Sequence, residues 1–153
     1  MLSYPSSPLH ALKPENVGFH RNTVKLFDFG FAIANSSGFL YDKCGTPRYM
    51  APEVGLTLGY GIESDVYSFG VLLWEMSALE KPFSTISSMD VFHRTVFVGG
   101  KRPALGAFWA ENTKKLMRSC WSSRPGDRPT MLDLKSSLSL AIGATKNEHQ
   151  HAL

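Results

Sequence analysis

The sequence has little of what marks several protein classes. Only two of its 153 residues are cysteines, Cys44 and Cys120. They show no metal-ligand spacing and no secretory context, so they read as free thiols of a reducing, cytoplasmic compartment. The apolar run Val71 to Trp74 is as long as any, far too short to cross a bilayer, so no membrane partner is expected. The first ten residues carry prolines and serines but neither a basic nor an apolar stretch, so no signal peptide is expected there. No dense Lys/Arg run occurs, and a net charge of +3 is too mild to argue for nucleic acid. His149 and His151 are too few for a metal-binding tract, and no internal repeat is present.

What is there is ordinary for one soluble domain with a sizeable core: 43% hydrophobic and 19% charged residues. Residues 1–8, rich in proline and serine, read as a disordered or arbitrary start. Residues 143–153 are polar and read as a disordered tail. The organised part is 9–142.

Chemistry concentrates between Leu9 and Gly30. Lys13-Pro14-Glu15-Asn16 is a polar loop whose proline blocks helix, and Val17-Gly18-Phe19 follows as a short strand. His20-Arg21-Asn22 is a turn. Thr23 to Phe27 alternates β-favouring and polar residues and returns as the second strand of a hairpin, delivering Asp28-Phe29-Gly30 near Asn16. An amide oxygen and a carboxylate so juxtaposed suit a hard cation such as Mg2+, which keeps waters and takes further ligands from phosphates.

These residues carry a resemblance. Leu12-Lys13-Pro14-Glu15-Asn16 and Asp28-Phe29-Gly30 resemble the catalytic and magnesium loops of the protein kinase family, and Ala51-Pro52-Glu53 resembles the end of that family's substrate-binding loop. The resemblance covers nearly the whole chain and implies a partial kinase domain over 9–142. Its fold would be mainly α, a kinase-like carboxy-terminal lobe with a short β-hairpin carrying the magnesium loop. It also implies ATP and Mg2+ as cofactors, held through Asn16 and Asp28, with Lys13 and Thr46 approaching the acceptor hydroxyl or the transferred phosphate. Lys13 and Thr46 follow the serine/threonine-specific pattern. One departure stands out: the family's His-Arg-Asp falls on Leu9, His10 and Ala11, so a methyl group replaces the catalytic aspartate.

The remaining landmarks read as scaffold. By the same resemblance Glu53 pairs in the interior with Arg128 of the Arg124 to Thr130 turn. Ser64 to Met76 is the most apolar helix candidate, opened by the capping residues Ser64 and Asp65 and apolar on more than one face, as a central helix is. Asp65 reads as an N-cap, and the resemblance adds hydrogen bonds to backbone N–H groups of the catalytic loop. Ser87 to Val96 reads as an amphipathic helix ended by Gly99-Gly100, its Met and Phe residues packing into the core. Thr113 to Trp121 places Leu116, Met117, Cys120 and Trp121 on one stripe, and Thr130 to Ile142 opens with Thr-x-x-Asp, a capping-box pattern. Phe31 to Tyr49, with its Asn35-Ser36-Ser37-Gly38 cluster, reads as a mobile loop. Its Ser36, Ser37, Tyr41 and Thr46 are phosphorylatable or plain loop hydroxyls.

Functionally, loss of a general base typically costs about 10²- to 10⁴-fold in rate. No glycine-rich phosphate loop, strand lysine or partner glutamate occurs in the sequence, so ATP and Mg2+ binding by this chain is expected to be weak. Two readings follow: a piece of a serine/threonine kinase, inactive by itself, whose wording is closest to the tyrosine-kinase-like group; or a non-catalytic pseudokinase-type module that docks a protein through the surface around Met89 to Phe97 or near Thr46. Either leaves apolar surface of the central helix uncovered, which favours self-association.

Overall fold

The computed structural model describes residues 8–10, 12–30 and 39–139. It is mainly helical, with a sheet of two antiparallel strands. Strands β1 (Val17–His20) and β2 (Thr23–Leu26) pair Val17 with Leu26 and His20 with Thr23. The turn between them is tighter than the expected three residues. Arg21 and Asn22 both take positive φ, 46° and 60°, which matches the right-handed twist of a two-residue hairpin.

Helix α1 (Pro52–Gly55) is a single turn, and α2 (Glu63–Ala78) is the long central helix. Val66, Tyr67, Val71, Leu72 and Trp74 of α2 are all buried, on more than one side of it. Its start corrects the capping expectation. Ser64 donates its hydroxyl to the Gly61 carbonyl, the Asp65 carboxylate reaches residues 9 and 10, and the first turn has no side-chain cap. The helix stops at Leu79, in the left-handed conformation.

The expected amphipathic helix after residue 87 is real but uneven: α3 (Met89–Phe92) widens at once into a π-helical segment, His93–Val98. Phe92, Val96 and Phe97 enter the core, whereas Met89 is half exposed, against expectation. Helix α4 (Glu111–Cys120) crosses α2 closely enough that a side chain at Gly70 would meet the Cys120 Cβ at 2.6 Å. Helix α5 (131–139) opens on a formed capping box. The Thr130 N–H donates to Asp133 Oδ2 at 2.9 Å and the Asp133 N–H to Thr130 Oγ1 at 3.2 Å. Leu134 seats α5 on the core; Ile142 lies outside the described residues.

Exposed apolar side chains are spread over the described residues, with one group on the hairpin and the loop after it. Phe19 (78%), Val24, Phe27 and Phe29 are exposed there, while α2 bares chiefly Met76 at its end. Among the described residues no helix is long and apolar enough to cross a membrane.

Candidate active site

Three anchors set the loop from Leu9 to Asn16. The first is Asp65, 1% exposed, whose carboxylate accepts the Leu9 N–H at 2.6 Å and the His10 N–H at 3.0 Å. Burial pushes this carboxyl up, and the two N–H donors oppose the shift. They also hold His10 at φ 52°, a left-handed conformation that costs a non-glycine residue about 1 to 2 kcal/mol. Ala11 comes next and lies outside the described residues.

The second anchor is the hairpin. Residues Pro14–Asn16 form one 3-10 turn, in which the Asn16 N–H donates to the Lys13 carbonyl at 3.0 Å. Past β2, the Phe27 N–H donates to the Asn16 carbonyl at 2.8 Å, which brings the residue before Asp28 against the loop. Gly18 is what permits it. A Cβ there would lie 2.6 Å from the Phe27 ring. The chain then bends at Asp28, φ 58°, whose Oδ1 accepts the Gly30 N–H at 3.2 Å.

Asn16 is buried and Asp28 exposed, and the Phe27 bond brings the backbone positions of the two close together at the base of the hairpin. Both are hard oxygen donors and fit Mg2+ in kind. No group of three His, Cys, Asp or Glu side chains that could hold a metal occurs among the described residues. A cation here would complete its shell from water and phosphate oxygens.

The third anchor reaches the far side of the cleft. Lys13 and Thr46 line one small cavity of about 20 Å³, together with His10, Cys44, Tyr49 and Ser68, with room for roughly one water. Two of the sequence candidates thus meet there. His10 packs edge-on against Tyr60, ring centroids 5.1 Å apart, and its Nε2 is buried without a hydrogen-bond partner among the described residues. Burial lowers its pKa, so the ring is neutral at pH 7.

Behind the site, Arg128 grips Glu53 with both guanidinium nitrogens, Nη1 to Oε1 at 2.5 Å and Nη2 to Oε2 at 2.9 Å. Both side chains are buried, and the Arg128 guanidinium also lies 5.3 Å from the Tyr67 ring centroid. The pair joins the segment after the cleft to the turn before α5. Tyr41 is exposed, and Ser36 and Ser37 lie outside the described residues.

Sequence reasoning missed a fourth tie. Lys81 Nζ lies 2.9 Å from Glu15 Oε1 and 3.2 Å from Glu75 Oε1, and Glu75 Oε2 accepts the buried Tyr49 hydroxyl at 2.5 Å. Beside it, Arg48 Nη1 donates to the Pro82 carbonyl at 2.6 Å. Glu15 and Lys81 are 66 positions apart, and no local pattern announces their meeting.

Known proteins give the arrangement a context. The family model described as Protein kinase domain matches residues 9–138. The chain is 36% identical over 123 residues to the dual specificity protein kinase shkC of Dictyostelium discoideum, covering 78% of the chain and 24% of that protein. To the dual specificity protein kinase shkD of the same organism it is 35% identical over 113 residues, covering 72% and 15%. A protein of Acanthamoeba polyphaga mimivirus named as serine/threonine-protein kinase/receptor R818 is 34% identical over 137 residues, covering 89% and 8%. The chain therefore spans less than a quarter of the length of each of these relatives.

Proposed function

Because the chain belongs to the protein kinase family, we propose that it is the substrate-facing part of a serine/threonine kinase domain of the tyrosine-kinase-like group, and that it transfers no phosphate by itself. The observation that carries this reading is the Phe27 to Asn16 backbone bond, which gathers Asn16 and Asp28, beside a cavity that Lys13 and Thr46 share. The name of the mimivirus relative supports the serine/threonine assignment, and the dual specificity named for the Dictyostelium relatives is compatible with it.

In this reading Asn16 and Asp28 would hold Mg2+ through oxygen, and the ion would supply neutralising charge to the ATP phosphates. Lys13, an ammonium at the cleft, attracts the transferred group. Thr46 orients the acceptor hydroxyl from the opposite wall. Glu53, Asp65 and Arg128 act as scaffold. No carboxylate stands at Ala11 to accept the hydroxyl's proton, and a missing general base costs about 3 to 5 kcal/mol of barrier. With two protein ligands for the cation, binding of ATP and Mg2+ is weak, and transfer falls below detection.

The test is incubation of the 153-residue chain with radiolabelled ATP, Mg2+ and a mixed serine/threonine peptide. Label at the level of the Asp28→Asn variant is expected. Transfer well above it overturns the inactive reading. A second reading, a protein-docking module, draws on the exposed Met89 (51%), Val91 (39%) and Val98 (65%) along α3 and the π-helical segment. Cytoplasmic residence fits both readings.

A further inference from the structure

Lys81 stands at a junction that neither the metal pair nor the buried Glu53–Arg128 pair explains. On one side it holds Glu15, the residue between Pro14 and Asn16 in the 3-10 turn. On the other it holds Glu75, near the end of α2, whose second oxygen accepts a hydrogen bond from the Tyr49 hydroxyl. Tyr49 closes the turn that begins at Thr46, its N–H donating to the Thr46 carbonyl at 3.0 Å. The chain of contacts therefore runs from the loop that carries Lys13 and Asn16, through one ammonium, to the loop that carries Thr46. The two walls of the cleft share a single cation.

We propose that Lys81 is a positioning residue that couples these two walls, acting through Glu15 on the Asn16 loop and through Glu75 and Tyr49 on the Thr46 loop. This rests on the proposed placement of Lys13, Asn16 and Thr46 at the site, but the coupling itself needs no bound ligand. The charges argue for the role. The Lys81 hydrogen bond holds the Glu15 carboxyl below its usual range, and Glu15 followed by Glu75 raises Lys81. Tyr49 is pushed up by burial first and by the Glu75 hydrogen bond second, so its hydroxyl keeps its proton and remains a donor. Without the ammonium, two carboxylates gathered on one point face each other unscreened, and the exposed Glu15 is the freer of the two to swing away. The exposed Lys81–Glu15 contact is individually weak, so its loss loosens the loop without unfolding the body.

Amide hydrogen exchange by NMR on the full chain tests this directly. In Lys81→Met, exchange at Asn16 and at Tyr49 should both rise about two- to five-fold, the range that a surface ion pair supports, while Val71 in the middle of α2 stays unchanged. Lys81→Arg should restore parental rates at both loops. Glu15→Gln, a surface change, should raise exchange most at Asn16 and by a smaller factor at Tyr49, which it reaches only through Lys81. Unchanged rates in Lys81→Met, or an equal rise at Val71, overturn the proposal. So does a Glu15→Gln variant that disturbs Tyr49 as much as Asn16. A coupled response in a chain that binds no divalent cation leaves the coupling standing and removes the metal reading instead.

Discussion

The body around α2 and the hairpin that carries Asp28 are held by opposite means. In the body, large side chains such as Tyr67, Val71 and Met117 are fully enclosed, and the buried ion pair of Glu53 with Arg128 is bidentate and shielded by Tyr67. The hairpin shows Phe19, Val24, Phe27 and Phe29 to solvent and is tied to the loop by backbone bonds, Phe27 N–H to the Asn16 carbonyl and Val17 N–H to the Pro14 carbonyl. In the proposed reading, stability resides in the body and cation binding in the hairpin and its loop. That division predicts large stability effects on one side and large binding effects with little stability change on the other.

The comparison is broken most severely at the buried pair. Replacing Glu53 or Arg128 with alanine strands the other charge, at a cost of about 3 to 5 kcal/mol. Either variant is expected to lose the cooperative thermal transition, and melting equal to the parent contradicts the buried-pair account. Next comes Asp65→Ala, which removes a charged acceptor from two N–H groups, at about 2 kcal/mol. Its melting midpoint should fall, with the greatest loss of exchange protection at Leu9 and His10. A uniform loss across α2 and α4 counts against the anchoring role.

A smaller effect distinguishes the His10 contact. Its folded pKa lies below its value in the unfolded chain, so the unfolded state binds more protons as pH falls below about 6.5. The stability this neutral ring contributes is present above that pH and is lost as pH drops through the depressed folded value. Urea titrations at stepped pH should show that slope, and His10→Phe should remove it. A parent and variant with the same slope dissociate His10 from the effect.

Much of the body was legible in the sequence because its signals are local or strongly patterned. The apolar residues of Val66 to Trp74, the stripe Met117, Cys120 and Trp121, and the Thr130–Asp133 capping box all appear where the pattern places them. The hairpin was legible too, apart from its turn, where Arg21 and Asn22 take positive φ without a glycine to announce it. Three features were not legible, each for a physical reason. Ser64 and Asp65 look like caps locally; the Asp65 bonds to Leu9 and His10 follow the family resemblance, but no local pattern chooses between a cap and a long-range acceptor, and none places the Ser64 hydroxyl on Gly61. The π-helical widening at His93 leaves no mark in the hydrophobic period. Lys81 meets Glu15 across 66 positions, and an exposed ion pair imposes no pattern on either segment.

The central claim is that Asn16 and Asp28 form a weak divalent-cation pair on a body that does not depend on it. Its most direct test is titration of the 153-residue chain with Mn2+, followed by electron paramagnetic resonance, beside Asp28→Asn. The account predicts weak binding of one ion by the parent, loss of that binding in Asp28→Asn, and thermal melting of the two within about 0.5 kcal/mol, as expected of an exposed substitution. Equal Mn2+ binding by parent and variant, or no binding by either, contradicts it.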